Sequence, residues 1–276
     1  MDYVQTTPGR LEAKIHSVAT RLVEVREASF RTAVLLTTDN AFPRFGVGIN
    51  LSGQSDLFGS SLTDSNLGYT NGHNGVFARV QDASSWCNVS IDFELLERVA
   101  ETHDYEIPSG DGTYGLPIDK QRSFVRMMSL VARAQRCSEL SNAQLDDETA
   151  LTVLRTLNPP QERGGMTRSK HYIKVQCVIE YIHAHYFESM TVTGLCQLVG
   201  FSERSLQYNF LDATGLTVQQ YLMHYRLHRA HSLLIRGQVG QVKDAAQACG
   251  IPHTGRFSQY FKNLFGESPS QLLQPN

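Results

Sequence analysis

Residues 249–270 read CGIPHTGRFSQYFKNLFGESPS, and this stretch decides the fold because a version of it occurs earlier in the chain. Arg256, Gln259, Lys262 and Asn263 recur at helical spacing, while Phe257, Tyr260, Phe261 and Phe265 point largely elsewhere. Such a helix buries one side and offers the other to something rich in hydrogen-bond acceptors. Residues 199–222, VGFSERSLQYNFLDATGLTVQQYL, align with residues 249–273. Gly200 pairs with Gly250, Phe201 with Ile251, Leu206 with Phe257, Phe210 with Phe261, Gly215 with Gly266 and Leu222 with Leu273. The offset is 50 residues before the turn and 51 after it. A repeat that keeps its turn glycines is a duplicated supersecondary unit.

Each copy predicts a short apolar helix, a glycine turn and a second helix, the helix-turn-helix pattern. In the first copy, residues 192–199 support, Thr191 and Ser202 are N-caps, and the second helix runs to about Asp212. Leu206 and Phe210, four apart, face inward, which turns Arg204, Ser205, Gln207 and Tyr208 toward a partner. In the second copy the outward set is His253, Thr254, Arg256, Gln259 and Lys262. Arg and Gln are the side chains that pair bidentately with guanine and adenine edges in the major groove. Between the copies, residues 217–237 form an amphipathic helix of about 20 residues, roughly 30 Å long. Successive major-groove faces lie roughly 34 Å apart, so the spacer suits two readers on one side of a duplex.

Composition is consistent with this reading. With 276 residues and 41% hydrophobic content, the chain can hold two domains. No apolar run reaches the roughly 18–20 residues of a membrane span, and MDYVQTTPGRLEAK lacks a secretory pattern, so a cytoplasmic protein with no membrane partner is expected. Five cysteines, at 87, 137, 177, 196 and 249, are scattered and read as reduced thiols. Residues 161–276 carry 11 Lys+Arg against 7 Asp+Glu, a net +4; the remainder carries 14 against 20, or −6. The positive half is the half with the repeat.

The clearest seam is NPPQERGGMTRSK, residues 158–170, a flexible linker. Before it, residues 117–135 and 146–157 have helical periodicity. AVLLTTD, FGVGINLS, GVFARV and WCNVSIDF read as short strands of an antiparallel barrel or sandwich, with a helix at 93–103 packed on it. There is no Walker loop, GxSxG or HExxH, and His16, His73 and His103 are too dispersed for a metal-dependent enzyme. His224 and His228, four apart, are read as packing or surface residues of the linker helix, with no metal or catalytic group assigned.

From about Lys174 to Gln274 the chain resembles the DNA-binding domain of the AraC/XylS transcription regulators. Leu195, Gly200, Phe201, Ser202, Leu206, Phe210 and Gly215 carry the resemblance in the first copy. Arg226-Leu227, Ala230 and Leu233-Leu234 carry it in the spacer, and Gly250, Phe257, Phe261-Lys262, Phe265-Gly266 and Pro269-Ser270 in the second copy. The GRF…FGE.PS…L form is similar to ethanolamine-operon regulators. Ile251 replaces the usual Phe, and Pro252 and Gly255 fall in the second reading helix; the closing Tyr-Arg is Leu272-Leu273.

The resemblance implies an α+β protein: a cupin-like antiparallel β-barrel at 1–110 that senses a ligand, dimerisation helices at 118–157, the linker at 158–170, and an all-α double helix-turn-helix domain at 171–276. It further implies double-stranded promoter DNA and RNA polymerase as partners, a homodimer, activation rather than repression, and no enzyme activity. A non-DNA helical adaptor or a cupin-type enzyme are the alternatives. For the effector, Arg21, Arg26, Arg31 and Asn50-Leu51-Ser52 resemble part of the cyclic-dinucleotide motif of PilZ domains, with Ser55 where that motif has glycine. Arginine forks suit phosphates and guanine edges. An amine, amino-acid or aromatic metabolite is the alternative, with no resident cofactor.

Overall fold

The computed structural model describes residues 2–38, 44–63, 65–72, 75–137, 142–157, 163–165, 170–251 and 254–273. The chain divides into two compact units. The first comprises Ala13–Arg31 and Thr37–Thr167; the second comprises Asp2–Glu12, Thr32–Leu36 and Arg168–Asn276. Two stretches expected in the sensing domain therefore belong to the unit that carries the repeat.

Strand β1 (Asp2–Gln5) belongs to the second unit, and β2 (Ala13–Ala19) and β3 (Val23–Phe30) form a hairpin in the first. β4 (Val34–Thr37) precedes β5 (Arg44–Ser52), and the short β6 (Ser55–Leu57), β7 (Ser60–Leu62) and β8 (Asn66–Thr70) follow. β9 (Phe77–Val80) and β10 (Ser84–Asp92) lead into helix α1 (Phe93–His103), β11 (Gly112–Gly115), α2 (Ile118–Cys137), α3 (Asn142–Leu157) and β12 (Arg163–Gly165).

One antiparallel sheet runs β12-β11-β8-β5-β10-β3-β2, and β6 pairs with both β7 and β9 in another. The central strands alternate because one face is dry. Val23, Val25, Val47, Ile49, Leu67, Tyr69, Val89 and Ile91 form one face, packed with Leu95, Leu96 and Val99 of α1 and with Phe124, Met128, Val153 and Leu154 of α2 and α3. Each such side chain contributes roughly 1.5–3 kcal/mol on burial. The opposite face of the same strands carries glycine and polar residues. At Gly68 an added Cβ would lie 2.6 Å from Cδ2 of Leu57, so the small sheet approaches the large one closely there. Helix α1 starts where Asp92 accepts from the Glu94 amide, and it ends on Asp104 in the left-handed conformation.

The second unit is mainly helical: α4 (Lys170–His185), α5 (Val192–Val199), α6 (Glu203–Thr214), α7 (Val218–Ile235), α8 (Val242–Ala248), α9 (Thr254–Phe265) and a 3-10 turn at Pro269–Leu273. Helix α7, 18 residues long, spans about 27 Å. Around its N-terminal half, Leu206, Phe210 and Tyr221 are fully buried; around its C-terminal half, Leu227, Ala230, Ala245, Ala246, Phe257 and Phe261 are. The α+β class, with antiparallel sheets first and an all-α double helix-turn-helix last, is the architecture found.

Candidate nucleic-acid interface

Both helix-turn-helix units are built by local chemistry. In the first, Thr191 accepts from the Gly194 amide, Gly200 takes the left-handed conformation at φ 62°, and Ser202 accepts from the Ser205 amide. Lys174 braces the turn: its ammonium lies 3.4 Å from the Gly200 carbonyl and 4.6 Å from the Phe201 ring centroid. Thr193 Oγ1 donates to Glu203 across 3.0 Å, joining α5 to the first turn of α6. In the second unit Gly250 turns at φ 68°, and a Cβ there would fall 2.5 Å from the Phe187 carbonyl oxygen. Helix α7 opens with a reciprocal capping box between Thr217 and Gln220.

These starts and stops fix which side chains face outward. With Leu206 and Phe210 buried, Arg204 is exposed and Tyr208 is 71% exposed, an unusual position for an aromatic ring. Gln207 and Ser205 are half-buried at the edges of that face; the Ser205 hydroxyl accepts from Ser202 Oγ. On α9, Phe257, Phe261 and Phe265 are buried, and Arg256, Gln259 and Lys262 are exposed. Gln259 Nε2 donates to Asn263 Oδ1 across 2.6 Å, one turn along the helix. His253 lies outside the described residues, as does the side chain of Thr254. Gly255 is exposed with no atom within 4 Å of an added Cβ. Each reading helix thus presents an arginine beside further hydrogen-bonding groups, which suits phosphates and base edges.

Arg226 stands apart from that face. It is 9% exposed, and its Nε and Nη2 donate to the carbonyls of Tyr186 and Glu188 at 2.6 and 2.7 Å. Burial lowers its pKa from the ordinary guanidinium value. It holds the α4–α5 connection onto α7.

The histidines of α7 are also committed internally. Gln5 of β1 donates its backbone N–H to His228 Nε2 and accepts at its carbonyl from His224 Nδ1, each at 2.8 Å. Its side-chain amide donates to the Leu264 carbonyl at the end of α9, across 2.9 Å. The Gly9 amide reaches the same carbonyl at 2.9 Å. Among the described residues no cluster of His, Cys, Asp or Glu is placed to hold a metal ion.

The arginines considered for an effector are not brought together. Arg21 and Arg31 sit in the turns before and after β3, so about 25 Å of strand separates them. Arg26 lies on the polar face of β3, where its guanidinium pairs with Glu24 at 2.5 Å. Asn50 is buried and consumed locally: its Nδ2 donates to the Gly53 carbonyl and its Oδ1 accepts from Ser55. Ser52 and Ser85 share a hydroxyl hydrogen bond of 2.7 Å. Sequence reasoning misses Trp86 and Asn88, whose indole Nε1 and amide Oδ1 are buried without a hydrogen-bond partner among the described residues. The signal available was the lone tryptophan on a strand beside a Gly-x-Gly strand.

Residues 195–274 match a family model described as a helix-turn-helix domain. A "probable thc operon regulatory protein" of Rhodococcus erythropolis is 35% identical over 102 residues, covering 36% of this chain and 31% of that protein. The "HTH-type transcriptional activator RhaS" of Escherichia fergusonii is 27% identical over 157 residues, covering 57% of this chain and 54% of its own length. The chain thus spans between about a third and about half of these curated relatives. A crystal structure of a probable AraC family transcriptional regulator from Rhodopseudomonas palustris is 34% identical over 37% of this chain and 94% of that one, with a TM-score of 0.35.

Proposed function

The chain belongs to the AraC/XylS family of transcription regulators, and from that premise we propose that it binds promoter DNA through α6 and α9 and activates transcription under control of a small-molecule effector. One observation carries the reading: two helix-turn-helix units flank α7, and each offers an exposed arginine on the side opposite its buried core. Arg204, Tyr208, Arg256 and Lys262 are all exposed, and the three cations among them suit a polyanion.

In this reading the first unit holds the effector, and α2 and α3 supply the contact between two copies. A dimer then presents four reading helices to half-sites of roughly 15–20 bp. RNA polymerase is the partner at the promoter, and the protein works in the cytoplasm as a regulator rather than an enzyme. Among the described residues no helix is long and apolar enough to cross a membrane.

The test is duplex binding by fluorescence anisotropy, using fragments upstream of the protein's own gene and neighbouring operons across a salt series. A specific fragment should bind with a steep negative slope of log affinity against log salt, from counterion release. Absence of any sequence preference at low salt would replace the regulator with a protein-binding adaptor.

A further inference from the structure

The large sheet has a second face that the hydrophobic core does not use. Alternation along β10 and its register with β3 and β5 place Trp86, Asn88 and Ser90 on one side with Arg26, Glu24, Gly48 and Gly46. Asn88 stands opposite Arg26 on β3 and Gly48 on β5; Ser90 stands opposite Glu24 and Gly46. All seven residues are half-buried, neither sealed in the core nor free on the surface. The glycines carry no side chain on this face, which keeps the middle of the sheet low. An added Cβ at Gly48 would meet Asn88 Cβ at 3.6 Å, and one at Gly46 would meet Thr70 Oγ1 at 3.5 Å, both ordinary contact distances. Beyond the floor, Leu57 and Leu62 close over Gly68 and make an apolar wall.

Two groups on this face have unmet needs. Trp86 Nε1 is a buried donor and Asn88 Oδ1 a buried acceptor, each without a hydrogen-bond partner among the described residues. Buried polar groups are rarely left so without a reason such as a missing ligand. They lie two residues apart on one strand, about 7 Å, and the Arg26–Glu24 ion pair is one strand away, about 5 Å. The face therefore offers two donors, the indole N–H and the guanidinium, and two acceptors, the amide oxygen and the Glu24 carboxylate. Its formal charge is zero.

Building on the effector-controlled reading above, we propose that this face binds a free α-amino acid with an apolar side chain. The ligand's carboxylate accepts from Trp86 Nε1–H and Arg26, and its ammonium donates to Asn88 Oδ1 and Glu24. A zwitterion answers both unmet groups while keeping the site neutral. A bare amine or a bare acid answers only one and leaves the other half of the ion pair without compensation. The side chain lies along the glycine floor toward Leu57 and Leu62, and its size is limited by that wall.

Thermal unfolding of the full chain with L-valine, L-leucine and L-phenylalanine tests this, with isoamylamine and N-acetyl-L-leucine as comparators that lack one charge each. A saturating apolar amino acid should raise the midpoint on the order of 5 °C, with little effect from either comparator. Trp86→Phe keeps the ring and removes the N–H, and Gly48→Leu fills the floor. Each should cut the affinity at least tenfold while duplex binding without effector persists. A silent amino-acid series, an equal shift with isoamylamine, or a shift unchanged in both variants would overturn the proposal. If duplex binding is intact in that case, the regulator reading stands and only this site fails; if wild-type protein binds no duplex, the reading beneath it fails as well.

Discussion

The backbone N–H of Gln5 donates to Nε2 of His228 across 2.8 Å, so the ring must be neutral there with its proton on Nδ1. Burial first, then the neighbouring His231 and His224, push the His228 pKa down from 6.5 to about 3. His224 and His231 are lowered too, chiefly by burial, and Glu267 near His231 opposes the effect. A histidine with a depressed folded pKa contributes stability that is complete above the unfolded value and is lost as pH falls below it. From His228 alone, about 2 kcal/mol should disappear between pH 8 and pH 5. The thermal midpoint should drop by roughly 4–8 °C over that range. His228→Gln keeps an acceptor for Gln5 but cannot be protonated, so it should remove about that share of the acid loss. An identical pH profile in wild type and variant would mean that this histidine is not buried as described.

Arg204 and Arg256 are exposed on α6 and α9, on the side opposite the buried Leu206, Phe210, Phe257 and Phe261. Arg204→Ala and Arg256→Ala should each weaken the cognate duplex by about 1–3 kcal/mol and relax the preference at one base position. Thermal stability should stay within about 0.5 kcal/mol of wild type. Lys262→Ala should act differently, weakening all duplexes alike and reducing the salt slope by about 1. Competition binding with single-base operator variants separates the two behaviours. Uniform loss across all bases for both arginines would move them from base readers to phosphate contacts.

The second unit was legible in sequence because its signals are local. The turn glycines 200 and 250, the caps Thr191 and Ser202, and the four-residue spacing of Leu206–Phe210 and Phe257–Phe261 lie within a few residues of what they shape. Helix α1 fell within residues 93–103 as expected, because its amphipathic stripe is packed on the sheet. Helix α3 begins earlier than its run of acids suggested, at Asn142, since Leu145 is already in the core. Strand β2 carried no alternation to read, being exposed along almost its whole length. The placement of β1 was beyond reach for another reason: Gln5 and His228 are 223 residues apart, and no periodicity links them. The same holds for the polar sheet face, where Arg26 and Asn88 meet only through register.

Two glycines in the second helix-turn-helix should respond to alanine with opposite signs. Gly250 has φ 68° and a Cβ would strike the Phe187 carbonyl at 2.5 Å. Gly250→Ala should cost at least about 2 kcal/mol, from left-handed strain of roughly 1–2 kcal/mol and the clash together. Gly255 sits in α9 with open space around it, so Gly255→Ala should stabilise the free protein by up to about 1 kcal/mol. If the bare backbone at Gly255 approaches the duplex, the same variant should bind its site more weakly despite its greater stability. Chemical denaturation and anisotropy on one preparation give both numbers. Tighter binding by Gly255→Ala would place this end of α9 away from the DNA.

Arg226 tests how the support beneath the reading helices is held. Its planar fork satisfies two carbonyls, Tyr186 and Glu188, in a site that is 9% exposed. A lysine ammonium is a point donor and cannot span both carbonyls in one geometry. Arg226→Lys leaves at least one of these two carbonyls without its charged donor, which should cost about 1.5–3 kcal/mol. Arg226→Met removes the charge altogether and leaves both carbonyls unpaired, so it should cost more than lysine. Neither change touches the outward face of α6 or α9, so a loss of duplex affinity should follow the loss of stability and recover on cooling. Affinity that fell in fully folded protein, at a temperature well below the midpoint, would instead make Arg226 part of the interface.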